Sequence, residues 1–200
     1  MREARRARRA EPRREGRRGA GDEASTGHPV LFAMRPALHL DPFPSGGGYP
    51  VGFVEEAARL MGARLEDLVH LCAGSVRGGR LTIDVRPEAR PDVVADVRWL
   101  PLGPSTVDYF LVDPPYSQGY ADDLWGTGSV YPTPTVLLRE CAGALRPGGR
   151  VGFLHHLVPP LPTGLRQVAV YGVSTGPGYR IRALTIAERL HDDEPLDDLT

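Results

Sequence analysis

The residues most able to do chemistry lie in one short stretch, FLVDPPYSQGYADDLWGTG, at positions 110–128. An apolar run ends there in an aspartate, two prolines and a tyrosine. Neither proline can extend a strand, because each fixes φ and has no N–H to donate. The chain must therefore leave the sheet in a rigid, extended turn. We name residues 113–116 the DPPY turn, and we expect it to hold a carboxylate and an aromatic ring stiffly at the carboxyl end of a strand.

Other apolar runs predict the sheet that positions this turn. Each run is short and is bounded by glycine, proline or charged residues, which is typical of strands buried on both faces of a parallel sheet. The sequence therefore predicts an α/β fold with a mostly parallel sheet. The runs lie at 68–72, 81–85, 92–97, 107–112 and 150–158.

Helical spacing appears in two further segments. One helix of about ten residues is predicted to begin near Phe53, after a proline-glycine loop. A crossover helix is predicted within residues 135–149, where the Pro-Gly-Gly sequence is expected to end it. At the end of the chain, strand patterns at 166–173 and 179–190 flank the turn STGPG and predict an antiparallel hairpin.

Charge is concentrated at the two ends of the chain. Residues 2–18 hold nine arginines against three glutamates, whereas residues 192–198 hold five acids and no base. We expect residues 1–27 to form a disordered arginine-rich tail, residues 28–190 one domain, and residues 191–200 an acidic tail. All 24 basic residues are arginine, which indicates a coding bias and weakens the basic tail as evidence for nucleic-acid binding.

Several classes of protein are not indicated. No apolar run approaches the roughly 18 residues of a membrane span, and no signal-peptide core is visible, so we expect a cytoplasmic protein without a membrane partner. Two cysteines, Cys72 and Cys141, and six histidines show no ligand spacing. Neither a disulfide framework nor a metal site is therefore expected. The oligomeric state is left open.

Three predicted strands end in residues suited to binding a nucleoside cofactor. Ligands of open parallel sheets bind at the carboxyl ends of the strands. Asp84, at the end of the second run, can accept hydrogen bonds from ribose hydroxyls, and Asp96, at the end of the third, can meet an adenine amino group. Each signal alone also fits an ordinary turn or cap. The first run ends in four small residues that let backbone amides approach a ligand: Cys72, Ala73, Gly74 and Ser75.

Taken in order, these motifs resemble the class I S-adenosyl-L-methionine-dependent methyltransferases. Within that class the chain is most similar to DPPY-type nucleic-acid amino-methyltransferases, especially small phage and bacterial DNA methylases. The resemblance covers roughly residues 41–190. It is carried by HLCAGS, TIDV, VADVRWLP, VDYFLVDPPY and ALRPGG. It implies a Rossmann-like methyltransferase sheet, mostly parallel with an antiparallel C-terminal hairpin and some shortened crossover helices, and S-adenosyl-L-methionine as the cofactor.

The resemblance also implies roles for the DPPY turn. Asp113 and the carbonyl of Pro114 would accept the two hydrogens of an exocyclic amine, while Pro115 helps to fix the turn and Tyr116 stacks on a flipped base. Such an amine is a poor nucleophile, so two preorganised acceptors are needed to orient its lone pair. Asp113 is the nearest plausible base for the proton. Stacking contributes about 1–3 kcal/mol for an unstacked base.

Further contacts are implied around the turn. The four small residues would line the methionine end of the cofactor, Asp84 its ribose, and Asp96 with Val97 its adenine. Loop aromatics at 117–135 would cover the base, although packing on the core explains them equally well. Those aromatics are Tyr120, Trp125 and Tyr131. A separate segment, which would fold over the cofactor, contains Tyr49, Pro50 and Phe53. Ordinary helix packing explains these three residues nearly as well.

The chain departs from the family pattern in three ways. His70 or Cys72 stands where an acid usually ends the first strand. Only nine residues separate Gly74 from Asp84, too few for a helical crossover; either the link is unusually tight, or the two strands pair differently. No segment of a domain's size is present to recognise a target sequence.

These observations lead to one expected function and several alternatives. We expect methyl transfer to an exocyclic amino group of a base in DNA, with adenine favoured over cytosine. Methylation of an RNA base is the nearest alternative. A non-catalytic cofactor- or nucleic-acid-binding protein and a small-molecule methyltransferase also remain open.

Overall fold

A computed structural model of the chain describes residues 49–119, 122, 131–174 and 180–191. The elements described in full are two α-helices, seven strands and two short 3-10 turns. The helices are α1 (Phe53–Met61) and α2 (Pro134–Ala144). The strands are β1 (Leu68–Leu71), β2 (Leu81–Asp84), β3 (Val93–Val94), β4 (Val107–Val112), β5 (Leu145–His155), β6 (Leu165–Val173) and β7 (Arg182–Arg189).

The strands form one sheet in the order β3-β2-β1-β4-β5-β7-β6. Strands β1 to β5 run parallel to one another, and β7 pairs antiparallel with both β5 and β6. The predicted mostly parallel sheet with an antiparallel C-terminal hairpin is confirmed. Because β7 runs in the opposite direction, its first residues lie at the same edge of the sheet as the carboxyl ends of β4 and β5.

The two helices cover opposite faces of the sheet. Ala57 and Met61 of α1 pack with Leu111 in one cluster, whereas Leu137 of α2 packs with Phe110 in the other. Adjacent residues of β4 therefore enter different clusters. Burial on both faces is the reason why the strands read as continuous apolar runs rather than alternating ones.

The link between β1 and β2 is a tight crossover without a helix. The two strands pair in parallel, and a Cβ added at Gly79 would lie 2.7 Å from the carbonyl oxygen of Leu68. Gly79 also has a φ of +83°, which favours glycine. The amide of Arg80 then donates to the same Leu68 carbonyl at 2.8 Å. The first of the two expected alternatives is therefore confirmed, with glycine bringing the link against the β1 backbone.

An arginine joins this crossover to the next one. The guanidinium of Arg77 donates to the carbonyl oxygens of Val76 and Ala89, both at 2.7 Å. Ala89 closes a 3-10 turn, Pro87–Ala89, in the link from β2 to β3. Two shortened crossovers are therefore fixed to each other by one side chain.

The strands β3 and β5 differ most from those predicted. β3 contains only two residues instead of the predicted 92–97, because the Asp96 carboxylate accepts the Arg98 amide and turns the chain away from the sheet. β5 begins directly after α2, so the Pro-Gly-Gly sequence lies within the strand, and it ends at His155 rather than at 158. Gly149 permits this, because a Cβ there would lie 2.9 Å from the Asp108 carbonyl of β4.

The hairpin also contains an irregularity in its outer strand. The register between β6 and β7 shifts between Gln167 and Ala169, so Val168 is the extra residue of β6. The predicted tails, residues 1–27 and 191–200, lie outside the described residues except for His191. In the described parts of the chain, no helix is long and apolar enough to span a membrane.

Candidate functional site

Residues 72–75, which we name the small-residue turn, leave the sheet side by side with the DPPY turn. Leu71 and Val112 are register partners at the ends of β1 and β4. The next residues, Cys72 and Asp113, therefore begin two adjacent turns, on strands spaced about 4.8 Å apart. This register places both turns at the carboxyl edge of the sheet, where the sequence analysis expected them.

The small-residue turn is wound tightly against β2. Cys72 and Gly74 both have positive φ angles, 54° and 55°. The Gly74 amide donates to Asp84 Oδ2 at 2.8 Å, and the Ala73 amide donates to the Ile83 carbonyl at 3.1 Å. Of the four predicted residues, Ala73 and Gly74 are buried, Cys72 is half-buried and Ser75 is exposed. The structure thus brings Asp84 to this turn in spite of the short crossover.

Asp84 and Asp96 are each engaged by an arginine two residues further along. The Arg86 amide donates to Asp84 Oδ1 at 2.9 Å, and its Nε lies 3.1 Å from the same oxygen. The Arg98 amide and guanidinium likewise bind Asp96, with Nη2 at 2.6 Å from Oδ2. Hydrogen bonding from Arg98 lowers the pKa of Asp96. The two aspartates share the sequence Asp-Val-Arg, a repeat that the sequence analysis did not use.

The adenine side of the predicted cofactor site is less closely joined to the turn. No hydrogen bond connects Asp96 to the small-residue turn among the residues described. Val97 is buried in the core cluster on the α2 face. The sequence predicted that Asp96 would lie at the end of β3. Because β3 ends at Val94, Asp96 instead lies beyond the strand.

In the DPPY turn, the carboxylate of Asp113 is held in a small polar network. Tyr116 Oη donates to Asp113 Oδ1 at 3.0 Å, and Arg182 Nη1 donates to Tyr116 Oη at 3.0 Å. The same Nη1 lies 3.7 Å from Asp113 Oδ2. Burial raises the pKa of Asp113 to about 6, against the opposing effects of Arg182 and the Tyr116 hydrogen bond. Asp113 is therefore mostly ionised at neutral pH and close to the range in which it can accept a proton.

The ring of Tyr116 lies among two histidines. Its centroid is 4.9 Å from that of His155 and 5.2 Å from that of His156, with both pairs edge-to-face. Burial lowers the pKa of His155 to about 4, so this imidazole is neutral near pH 7. His156 is exposed. The three rings form an aromatic group next to the two prolines, of which Pro114 is buried and Pro115 half-buried.

Arg182, His155 and His156 were missed by the sequence analysis. Arg182 is the first residue of β7, and it alternates with Leu184 and Ile186, which are both buried on the α1 face. An arginine at a position where alternation predicts an apolar residue was the available signal. The two histidines directly follow an apolar strand, but their proximity to Tyr116 depends on the pairing of β4 with β5.

The segment before α1 packs over the ends of β1 and β4. Tyr49 is buried and stacks on Phe53 with centroids 5.4 Å apart, while Pro50 is half-buried. Burial raises the pKa of the Tyr49 phenol, and the charge of Asp113 raises it further. The phenol is therefore within electrostatic range of the DPPY turn.

Only one of the three predicted loop aromatics is described. Tyr131 is half-buried, and its amide donates to Gln118 Oε1 at 2.7 Å. Tyr120 and Trp125 lie outside the described residues. The hydrogen bond from Tyr131 to Gln118 connects the residues just before α2 to those just after the DPPY turn.

Comparison with solved structures identifies the fold. The chain is similar to TrmN from Thermus thermophilus, with a TM-score of 0.52 and 22% identity over 72% of this chain and 50% of that chain. The chain therefore spans half the length of TrmN. Together with the strand order, this likeness confirms one prediction. The chain has the Rossmann-like methyltransferase fold.

Two further solved structures are similar at lower scores. A putative methyltransferase from Escherichia coli, yhhF, has a TM-score of 0.49 and 13% identity over 74% of this chain and 91% of that chain. The 1,6-didemethyltoxoflavin-N1-methyltransferase of Burkholderia thailandensis, solved with 1,6-didemethyltoxoflavin and S-adenosylhomocysteine bound, has a TM-score of 0.48 and 15% identity over 69% and 76% of the two chains. No protein-family model and no curated protein matches the sequence.

Proposed function

We propose that this chain transfers a methyl group from S-adenosyl-L-methionine to an exocyclic amino nitrogen of a nucleic-acid base. One observation carries the proposal: the pairing of Leu71 with Val112 sets a small-residue turn next to the carboxylate of Asp113. A methyl donor held by the first turn and an amine held by the second would then be neighbours. Positioning of this kind supplies much of the barrier reduction in a transfer between two bound groups.

The residues at the first turn fit the cofactor. The turn carries no side chain larger than that of cysteine, and the Gly74 amide ties it to Asp84. We assign the four small residues to the methionine end, Asp84 to the ribose, and Asp96 with Val97 to the adenine. Tyr49, Pro50 and Phe53 would cover the cofactor. When bound, S-adenosyl-L-methionine supplies an electrophilic methyl group on a sulfonium.

Asp84 and Asp96 can bind the cofactor only if the arginines that now bind them move away. The oxygens of Asp84 already accept hydrogen bonds from Gly74 and Arg86. Arg98 similarly occupies Asp96. For either carboxylate to bind a nucleoside, the guanidinium must move aside. Arg86 and Arg98 thus act as removable partners of the two carboxylates before the ligand arrives.

At the second turn the chain's own groups activate the amine. Asp113 and the carbonyl of Pro114 accept its two hydrogens and direct the lone pair, and Asp113 then takes the proton. Its pKa of about 6 suits a base that must be ionised before transfer and protonated after it. The Tyr116 hydroxyl, which now donates to Asp113 Oδ1, must give up that oxygen when the ring stacks on the base.

DNA is the proposed substrate, with adenine favoured over cytosine, on the resemblance of the DPPY turn to DNA amino-methyltransferases. Tyr131, and with it Tyr120 and Trp125, would enclose the flipped base. RNA is the second candidate, because base amines in RNA present the same two hydrogens to such a turn. A protein that binds the cofactor without transfer is the third.

The test is methyl transfer from isotopically labelled S-adenosyl-L-methionine to DNA and to RNA, followed by mass spectrometry of the digested nucleosides. N6-methyladenine in DNA is expected, and Asp113→Ala should abolish transfer while cofactor binding is retained. Asp108→Ala is the matched control, because Asp108 lies on the same strand in an exposed ion pair with Arg146. A methylated base found only in RNA would transfer the proposal to RNA. Binding of the cofactor without any transfer would refute an enzymatic role.

A further inference from the structure

Two buried polar atoms near the small-residue turn have no hydrogen-bond partner in the part of the chain that the structure describes. They are Tyr49 Oη and His70 Nδ1. Tyr49 is only 9% exposed and His70 only 1%, and their ring centroids are 5.9 Å apart. Buried polar atoms are nearly always paired, so each exception needs an explanation. Two unpartnered polar atoms on neighbouring rings indicate a place where polar groups of a ligand can bind.

The position of the pair relates it to the proposed methyl donor. His70 is on β1, two residues before Cys72, and it faces the helix α1 side of the sheet with Leu68. Tyr49 precedes α1, and burial together with the nearby charge of Asp113 raises the pKa of its phenol. The pair therefore lies beneath the junction of the two turns, on the side where residues before α1 cross the carboxyl ends of β1 and β4.

The protonation states of the pair define what it can bind. Burial lowers the pKa of His70 to about 4, and burial raises the pKa of the Tyr49 phenol. At neutral pH the pair therefore consists of a neutral imidazole and a protonated phenol. A phenol donates to a carboxylate, and an unprotonated imidazole nitrogen accepts from an ammonium group. An α-amino acid in its zwitterionic form carries both of these groups on one carbon atom.

We propose that Tyr49 and His70 bind the amino-acid end of the cofactor, the phenol donating to the α-carboxylate and His70 Nδ1 accepting from the α-ammonium group. This inference rests on the proposed function. It gives His70 a specific role at the strand position where the resembling family carries an acid: a neutral acceptor in place of a carboxylate.

The test compares two ligands that differ only at this end. S-adenosylhomocysteine carries the amino-acid group, whereas 5′-methylthioadenosine lacks it. By isothermal titration of the full chain, Tyr49→Phe and His70→Leu should each weaken S-adenosylhomocysteine binding by about 10- to 100-fold, the loss expected for one hydrogen bond to a charged group. Affinity for 5′-methylthioadenosine should not change. His70→Asn, which keeps a polar atom near the position of Nδ1, should restore part of the lost affinity.

Controls separate this role from a structural one. Tyr109→Phe removes a phenol oxygen on the same face, where it makes a long, exposed hydrogen bond of 3.4 Å to the Gly62 carbonyl, and should leave both affinities unchanged. In the absence of ligand, Tyr49→Phe should unfold at the same or a higher temperature, because it removes an unpartnered buried hydroxyl. Equal weakening of both ligands by Tyr49→Phe, or no effect on either, would overturn the inference. If the unmutated protein binds neither ligand, the proposed function itself fails.

Discussion

Removal of the Arg182 charge should shift the pH dependence of methyl transfer to higher pH. Arg182 Nη1 lies 3.7 Å from Asp113 Oδ2, and a cation this close lowers the pKa of an aspartate by about 1–3. Asp113 has a pKa of about 6 with Arg182 present. In Arg182→Met it should therefore titrate between about 7 and 9. Because Asp113 must be ionised to accept the amine hydrogens, activity is present above its pKa and is lost as the pH falls through it.

The magnitude at a fixed pH follows from the same shift. At pH 7, a carboxyl with a pKa of 6 is about nine-tenths ionised, whereas one with a pKa of 8 is about one-tenth ionised. Arg182→Met should therefore lose about tenfold in rate at pH 7 and recover most of it near pH 9. Tyr49 and Cys72, which also face Asp113, have pKa values raised by burial, so neither titrates in the range of this acid limb.

The assay is the single-turnover rate of methyl transfer from labelled cofactor between pH 5 and 10. Arg182→Lys keeps the charge and should leave the acid limb near 6, and Arg180→Met removes an exposed arginine from the same segment without moving the limb. Thermal unfolding of each variant shows whether the fold is retained. An equal loss of rate at every pH in Arg182→Met, with the limb unmoved, would show that Arg182 does not act on Asp113.

Two further predictions concern the second turn and the tight crossover. Tyr116→Ala should raise the KM for the nucleic acid by the equivalent of about 1–3 kcal/mol of lost stacking. The KM of Tyr116→Phe should stay within a few-fold of that of the unmutated enzyme. Equal KM values for the two variants in steady-state kinetics would contradict the stacking role. Gly79→Ala should lower the free energy of unfolding by about 2–4 kcal/mol, because left-handed strain adds to overpacking against the Leu68 carbonyl. Gly78 has a φ of +98° but open space around it, so Gly78→Ala should lower the free energy of unfolding by only about 1–2 kcal/mol. If urea denaturation shows equal losses of this free energy for the two variants, the contact with Leu68 is excluded as a cause.

Local features of the sequence were enough to predict the architecture. Apolar runs bounded by glycine and proline indicate buried strands wherever they occur, and two consecutive prolines end a strand in any surroundings. The parallel pairing among β1 to β5, the helix α2 and the hairpin agree with those predictions. The adjacency of Cys72 and Asp113 then follows from strand order and register.

Features that depend on distant residues were not predicted. The crossover between β1 and β2 is possible because Gly79 meets the backbone of Leu68, a contact that no local pattern contains. Arg182 reaches the DPPY turn because β7 runs antiparallel and begins at the carboxyl edge of the sheet. The strand pattern alone gave no means to place an arginine near position 182 beside Asp113, about 70 residues earlier in the sequence.

The two-residue length of β3 affects how the sheet meets its surroundings. A long, flat outer strand presents a row of unpaired amides and carbonyls to which another chain can add, and proteins limit this hazard by shortening or bulging such strands. β3 leaves only Val93 and Val94 at one side of the sheet. At the other side, Val168 interrupts the ladder of β6. Each of the two outer strands of the sheet therefore carries a feature that limits strand addition by another chain.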